Sequence, residues 1–215
     1  MSPMSNDGSS NRVDCPEAAD VLDFWFGDFD DPENVKRRNE LWFASKRAQD
    51  RDIRERFGGL HERAQGGELD AWVEQPRTAL ALVVLLDQFT RNLYRGTARA
   101  FTNDARALEL ARAGIDRGFD RSLHVVQRAF LYMPFQHSEN RDDQAQSVAL
   151  FDALLRDSPA PFKPFAEDSR EYAVLHKEII ERFGRFPHRN ELLGRRSSEQ
   201  EKRYLEQGGQ RFGQG

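Results

Sequence analysis

The sequence predicts an all-α protein, and three observations carry that prediction. Apolar residues recur at helical spacing in one segment after another, as in Ile53, Phe57 and Leu60, in Ala107, Leu108, Ala111 and Ile115, and in Val148, Phe151 and Leu155. Glycine or proline closes these segments, at Gly27, Gly66-Gly67, Gly96, Gly118 and Pro159. No segment shows the alternation of a half-buried strand. Short connections imply antiparallel helix hairpins, stacked as a solenoid-like array or an irregular bundle. No clean internal repeat is visible.

Taken in order, Asp14-Cys15-Pro16-Glu17 reads as a capped N-terminus with Asp14 as the cap, and the helix it opens ends at Gly27. Trp25, Phe26, Trp42 and Phe43 supply aromatic bulk for the core. A charged helix from Lys46 to Ala64 stops at Gly66-Gly67. Pro76 suits the first turn of a helix that runs to Gly96. Asn103 or Asp104 starts the next. A helix from Leu123 to Met133 meets Pro134, which should end it. Ser138 can cap a helix whose first turns hold Glu139, Asp142 and Asp143, the right sign for the helix dipole. Phe165 to Phe183 is a long helix after a Pro-rich break, and Ser198 with Glu201 forms a last capping box.

Residues 14–207 are therefore expected to form one all-helical domain, between a disordered N-terminal tail at 1–13 and a frayed tail at 208–215. The first 13 residues are Ser/Asn/Gly-rich and lack the apolar core of a secretory signal. The longest strictly apolar run, Ala79 to Leu86, is far short of a membrane span. Cytosol is the expected compartment, and no membrane partner is expected. The lone Cys15 allows no internal disulfide. A net charge of −4 argues against general nucleic-acid binding. Basic residues are nearly all Arg, which codon composition explains more simply than anion recognition.

Three polar clusters carry whatever chemistry is present. The first is Asp87, Gln88, Arg91, Asn92 and Arg95. On a helix, Gln88, Arg91, Asn92 and Arg95 share a face that continues through Ala81, Val84 and Leu85, so these polar groups point inward. Asp87 can pair with Arg91 four residues on; the others still seek partners, from a structural network or from a ligand. The second is the Arg-, His- and Asn-rich turn Arg182 to Asn190, where Gly184 ends a helix and Pro187 prevents its continuation; Arg185, His188, Arg189 and Asn190 are its candidates. The third runs from Arg128 to Glu139. There His137 lies just ahead of a helix N-terminus and Glu139 opens that helix, an arrangement open to a general base with its acid or to plain capping.

His176 sits on an apolar stripe and reads as a hydrogen-bonded core histidine. The zinc-protease helix pattern, the phosphate-binding glycine loop and the Gly-Xaa-Ser-Xaa-Gly elbow are all missing from the sequence. No metal site and no cofactor are expected.

Four ordered motifs resemble those of an uncharacterised bacterial family known as domain of unknown function 924. They are Val21-Leu22-Asp23-Phe24-Trp25-Phe26-Gly27; Leu86-Asp87-Gln88-Phe89-Thr90-Arg91-Asn92 with Tyr94-Arg95-Gly96; Tyr132-Met133-Pro134-Phe135-Gln136-His137-Ser138-Glu139; and Arg182 through Asn190. The similarity covers roughly Pro16 to Leu205. The resemblance implies a helical fold similar to tetratricopeptide repeats and implies no established reaction. Thr90 stands where the family usually has Pro, which leads us to expect a smoother helix here.

Three functions follow as expectations. The first is binding of a small anionic or polar ligand, with Gln88, Arg91, Asn92, Arg95, Arg128, Arg185, Arg189 and Asn190 as its contacts. The second is a hydrolase- or transferase-like enzyme, with His137 or His188 as base and Glu139 or Asp87 as orienting acid. The third is a protein- or peptide-interaction scaffold of tetratricopeptide-like type. The sequence leaves the oligomeric state open.

Overall fold

The computed structural model describes residues 15–43 and 47–213. These residues are helical or in turns, with no strand among them. Helix α1 spans Pro16–Phe26, α2 Pro32–Phe43 and α3 Arg47–Gln65. Then α4, Pro76–Val83, continues without a break into a π-helical stretch, Val84–Phe89, and a last turn, α5, Thr90–Leu93. Helix α6 is Asp104–Asp116, α7 Val125–His137, α8 Arg141–Asp157, α9 Lys163–Phe183 and α10 Glu199–Glu206. Among the described residues no helix is long and apolar enough to cross a membrane. Helices α7, α8 and α9 each lie against their neighbour in the chain, while the helix over 76–93 runs between α1, α3, α6 and α7.

That helix is the axis of the molecule. Every residue from Ala79 to Leu93 is buried, which is why its sequence is apolar all round until its polar end. It does not run smoothly past Thr90 as expected. The Thr90 hydroxyl donates to the Leu86 carbonyl at 2.7 Å, four residues back. A side chain thus meets a carbonyl that the backbone would normally use, and the ladder widens into the π turn before it. Thr90 is held in turn by Nδ2 of Asn103 at 2.9 Å and by the His61 ring at 2.8 Å. Such wide turns recur at functional sites, and this one carries Asp87 and Gln88.

Other local expectations are also corrected. Pro134 does not end α7, which runs on to His137. Proline leaves the Phe130 carbonyl without its helical donor. The helix continues because it is buried almost all round, and because the Gln144 amide donates to the carbonyls of Gln136 and Ser138, both at 2.7 Å. His137 is thus the last residue of a helix rather than the prelude to one. Asn140, not Ser138, caps α8, accepting from the backbone N–H groups of Asp142 and Asp143. Glu139 precedes that helix instead of opening it. The expected cap Asp14 and the start at Lys46 lie outside the described residues, as does the 1–13 tail; Cys15 holds the α1 N-cap position without a side-chain bond. The Ser198–Glu201 capping box is formed in both directions.

Trp25, Phe26 and Trp42 converge edge-on around Phe130, with ring centroids 4.9–5.8 Å apart. Phe43 departs from its expected core role. It is 55% exposed and stacks on Tyr172, itself 50% exposed. A smaller cluster of Ile179, Ile180 and Phe186 seats Phe183, Tyr204 and Phe212. Phe212, from the 208–213 segment, packs on this cluster.

Candidate functional site

A cavity of about 500 Å³ opens where the polar end of the 76–93 helix meets the C-terminal half of α7, α9 and the turn after α9. Gln88, Arg91, Asn92 and Arg95 all line it, with Gln136 and His137 from α7 and His188 and Arg189 from the turn. Its walls are aromatic: Trp42, Phe43, Phe101, Phe165, Tyr172 and Phe212. The volume falls in the range of small-molecule sites, and apolar walls with a few convergent polar groups are their usual make-up.

The floor is a chain of alternating charges. Asp87 is fully buried and accepts from Arg91 Nη1 at 2.9 Å, from Gln88 Nε2 at 2.6 Å and from His137 Nδ1 at 2.7 Å. Arg91 Nη2 pairs with Asp104 at 3.0 Å, and Arg189 Nη1 meets the other Asp104 oxygen at 3.2 Å. To one side, Asp50 takes both Arg95, at 2.9 and 3.0 Å, and Asn92, at 2.9 Å. Burial alone would raise the Asp87 carboxyl, but Arg91 and then His137 outweigh it and hold the carboxyl down at about 2. Burial also opposes the charge of Arg91, which Asp104 and Asp87 restore.

The imidazoles respond the other way. Burial, then Arg91, pushes His137 below its ordinary value against the pull of Asp87, so the ring is neutral near pH 7. The carboxylate then fixes the tautomer: Nδ1–H faces Asp87, and Nε2 carries the lone pair. No described residue bonds that nitrogen, and the ring edge reaches the cavity. His176 donates Nδ1–H to the Tyr172 carbonyl at 2.7 Å, so it is the hydrogen-bonded buried histidine expected, and it also lines the cavity. His188 is driven to about 3 by burial and by Arg189, and its Nδ1 has no partner among the described residues. Arg189 is lowered to about 10 by burial, with Arg91 and Arg195 adding repulsion, and its buried Nε is likewise unbonded.

The C-terminal segment closes one wall. The Phe212 ring stacks on His176 with centroids 3.8 Å apart, and the Gly213 carbonyl accepts from Arg95 Nη1 at 2.7 Å. Phe212 has φ +49°, alone among the described residues other than glycine in having a positive value. Such strain is tolerated where surrounding contacts impose it.

The remaining sequence candidates lie elsewhere. Arg128 bonds Tyr132 and Asp157 on the far side of α7. Arg185 forms a two-point pair with Glu201, at 2.7 and 2.9 Å. Asn190 is buried against Ser197. Glu139 accepts from Arg195 and from the Phe186 N–H, and so is not the acid beside His137; Asp87 is. Sequence reasoning missed Asp50 and Asp104, the acids that neutralise the arginines, because each is a single carboxylate on a different helix with no local motif. It also missed Phe101 and Phe212 as walls. The only available signal was the surplus of arginine in the first cluster, which required acids from outside it.

No curated protein matches the chain. A solved structure of a protein of unknown function from Agrobacterium tumefaciens is similar at 37% identity, with a TM-score of 0.75, over 89% of this chain and 98% of that one. A model of bacterial proteins of unknown function, DUF924, matches residues 21–209 and so spans the Asp87, His137 and Arg189 segments. By that match over most of its length, the chain belongs to the DUF924 family.

Proposed function

We propose that the protein binds a small amphipathic ligand, an aromatic or acyl body carrying a carboxylate or similar polar head, in the 500 Å³ cavity. One observation carries this reading: three polar atoms of cavity-lining residues, His137 Nε2, His188 Nε2 and Arg189 Nη2, have no hydrogen-bond partner among the described residues and are not sealed from solvent. A ligand head can take the bonds that water otherwise makes to these atoms. The compact cavity supports a small ligand over an extended peptide, which would need a long groove.

Thermal shift and calorimetry with benzoate, phenylacetate, 4-phenylbutyrate and hexanoate test it. A native-state ligand at 100 times its Kd adds about 2.7 kcal/mol of stability. The expected result is a raised melting temperature with the aryl carboxylates, lost in Arg189→Met while that variant stays folded. Absence of binding by all four in the wild type overturns the proposal.

A further inference from the structure

Binding a carboxylate does not require an acid buried at the floor of this cavity. Asp87 cancels positive charge at the floor and so weakens anion binding. What it does instead is fix His137. The carboxylate holds Nδ1–H at 2.7 Å, so the ring is pinned in one tautomer and one orientation with its Nε2 lone pair toward the cavity. Asp87 is itself held by Arg91 and Gln88, so it cannot swing away. A carboxylate on one imidazole nitrogen and an open second nitrogen is the arrangement that general-base catalysis needs.

We propose, resting on the binding site above, that Asp87 and His137 are a general-base dyad that activates water to hydrolyse small aryl or acyl carboxylic esters. The charge balance selects this substrate class. Asp87, Asp104 and Asp50 face Arg91, Arg189 and Arg95, three against three, and Asp168 also lines the cavity. Such a floor does not attract a dianionic phosphate strongly. It suits a neutral carbonyl that becomes singly negative during reaction. The product of hydrolysis is the amphipathic carboxylate that the cavity fits.

The step balances with water alone. His137 Nε2 takes a proton from water as the water oxygen bonds to the carbonyl carbon. The carbonyl electron pair moves onto oxygen, where Arg189 Nη2, which has no partner among the described residues, is the available donor. When that oxyanion collapses, the bond to the alcohol oxygen breaks, and His137 returns its proton to the leaving alcohol. Asp87 touches no reacting atom and acts through the histidine, as a positioning residue.

The test uses the full chain with 4-nitrophenyl acetate, butyrate and phenylacetate, at pH 5 to 9. Phenylacetate binding is measured in parallel. We expect saturable hydrolysis, with kcat falling as pH drops through a value below 6.5. Groups facing His137 set that limb: Asp87 and Arg91 from the central helix, Asp104 from α6 and His176 from α9. His137→Gln, whose amide can still donate to Asp87, should lower kcat by about 10²–10⁴-fold, far more than it changes KM or phenylacetate binding. Arg170→Gln, on the surface beside Asp152, should behave as wild type. Phenylacetate binding without hydrolysis of any of the three esters would overturn the dyad and leave the binding site standing. Neither binding nor hydrolysis would overturn both. Hydrolysis that survives His137→Gln also removes the dyad. Should that variant fail to fold, a wild-type kcat that is unchanged in heavy water, where general-base proton transfer should slow, does the same.

Discussion

The turn after α9 sends its polar side chains two ways, and the two sides differ in how they are closed. Toward the cavity go His188 and Arg189, which join Arg91, Asp87, Asp104 and His137. Away from it go Arg185 and Asn190, toward α10 and the 195–198 segment. On that outer side Arg185 grips both oxygens of Glu201, Arg195 grips both of Glu139, and Ser198 caps α10. Its principal carboxylates each take several protein donors, and the atoms left unpartnered there, Asn190 Oδ1 and Arg195 Nε, are sealed away from any lining of the cavity. On the cavity side the charges balance, yet His137 Nε2, His188 Nε2 and Arg189 Nη2 have no partner among the described residues and are not sealed from solvent. Density of polar residues is similar on both sides. A site is told from a structural knot by leftover hydrogen-bonding capacity facing a space that a ligand can fill.

Removing the shared acid of the cavity side should do the most damage. Asp87→Ala leaves the Arg91 charge and the His137 N–H buried without their acceptor. Breaking one partner of a buried pair costs about 3–5 kcal/mol, and we expect a loss of that size in urea unfolding. A loss under about 1 kcal/mol would mean that the network is dispensable to the fold, and the contrast between the two sides would weaken.

Acid should find the same side next. His61 is held neutral down to about pH 4 by burial and then Arg99, and His188 to about 3 by burial and then Arg189. In the unfolded chain both take up protons near 6.5. Between pH 6.5 and 4 the unfolded state therefore binds more protons, and stability falls as pH falls. Each such histidine contributes a slope approaching about 1.4 kcal/mol per pH unit well below about 6.5, and that slope fades as pH rises past about 6.5. Glu201, drawn down to about 2 chiefly by Arg185, adds its own loss of stability as pH falls from the ordinary carboxylate value toward about 2. Urea midpoints measured at pH 7.5, 6 and 5 check this. A stability flat across that range would mean that the buried imidazoles titrate as they do in water.

Much of this fold was legible in the sequence, and less of the candidate site. Helical spacing with Gly stops places α3, α6, α8 and α9 to within a few residues, because periodicity and caps are local signals. Pro134 misleads because its cost is met by Gln144 and by burial, which are tertiary facts. The inward Gln88, Arg91, Asn92 and Arg95 face is legible because an apolar helix that ends in guanidinium groups has few alternatives. Asp104 and Asp50 are not, since nothing near them in sequence distinguishes them from surface acids. The turn from Arg182 to Asn190 is the instructive case. Its composition marks it as special, but residues four apart in it, Arg185 and Arg189, serve opposite sides of the molecule. Only the path of the backbone through Pro187 decides that.

The outer side supplies the smallest effect and the cleanest contrast. Arg185 is about one-third exposed, while the Glu201 side chain is 3% exposed. Arg185→Met takes away two charge-assisted bonds but leaves Glu201 the Ser198 N–H at 2.6 Å. Water can reach the arginine side of the pair, so the cost should be about 1 kcal/mol, well under that of a sealed pair. Because no cavity residue touches Arg185, phenylacetate binding should be unchanged. Arg189→Met should show the reverse. Burial already disfavours that charge, as its lowering to about 10 records, so little stability is lost when the charge is removed. Ligand binding should go with it. If Arg185→Met abolishes binding, or Arg189→Met costs more stability than Arg185→Met with binding intact, the two sides do not divide structure from function along this turn.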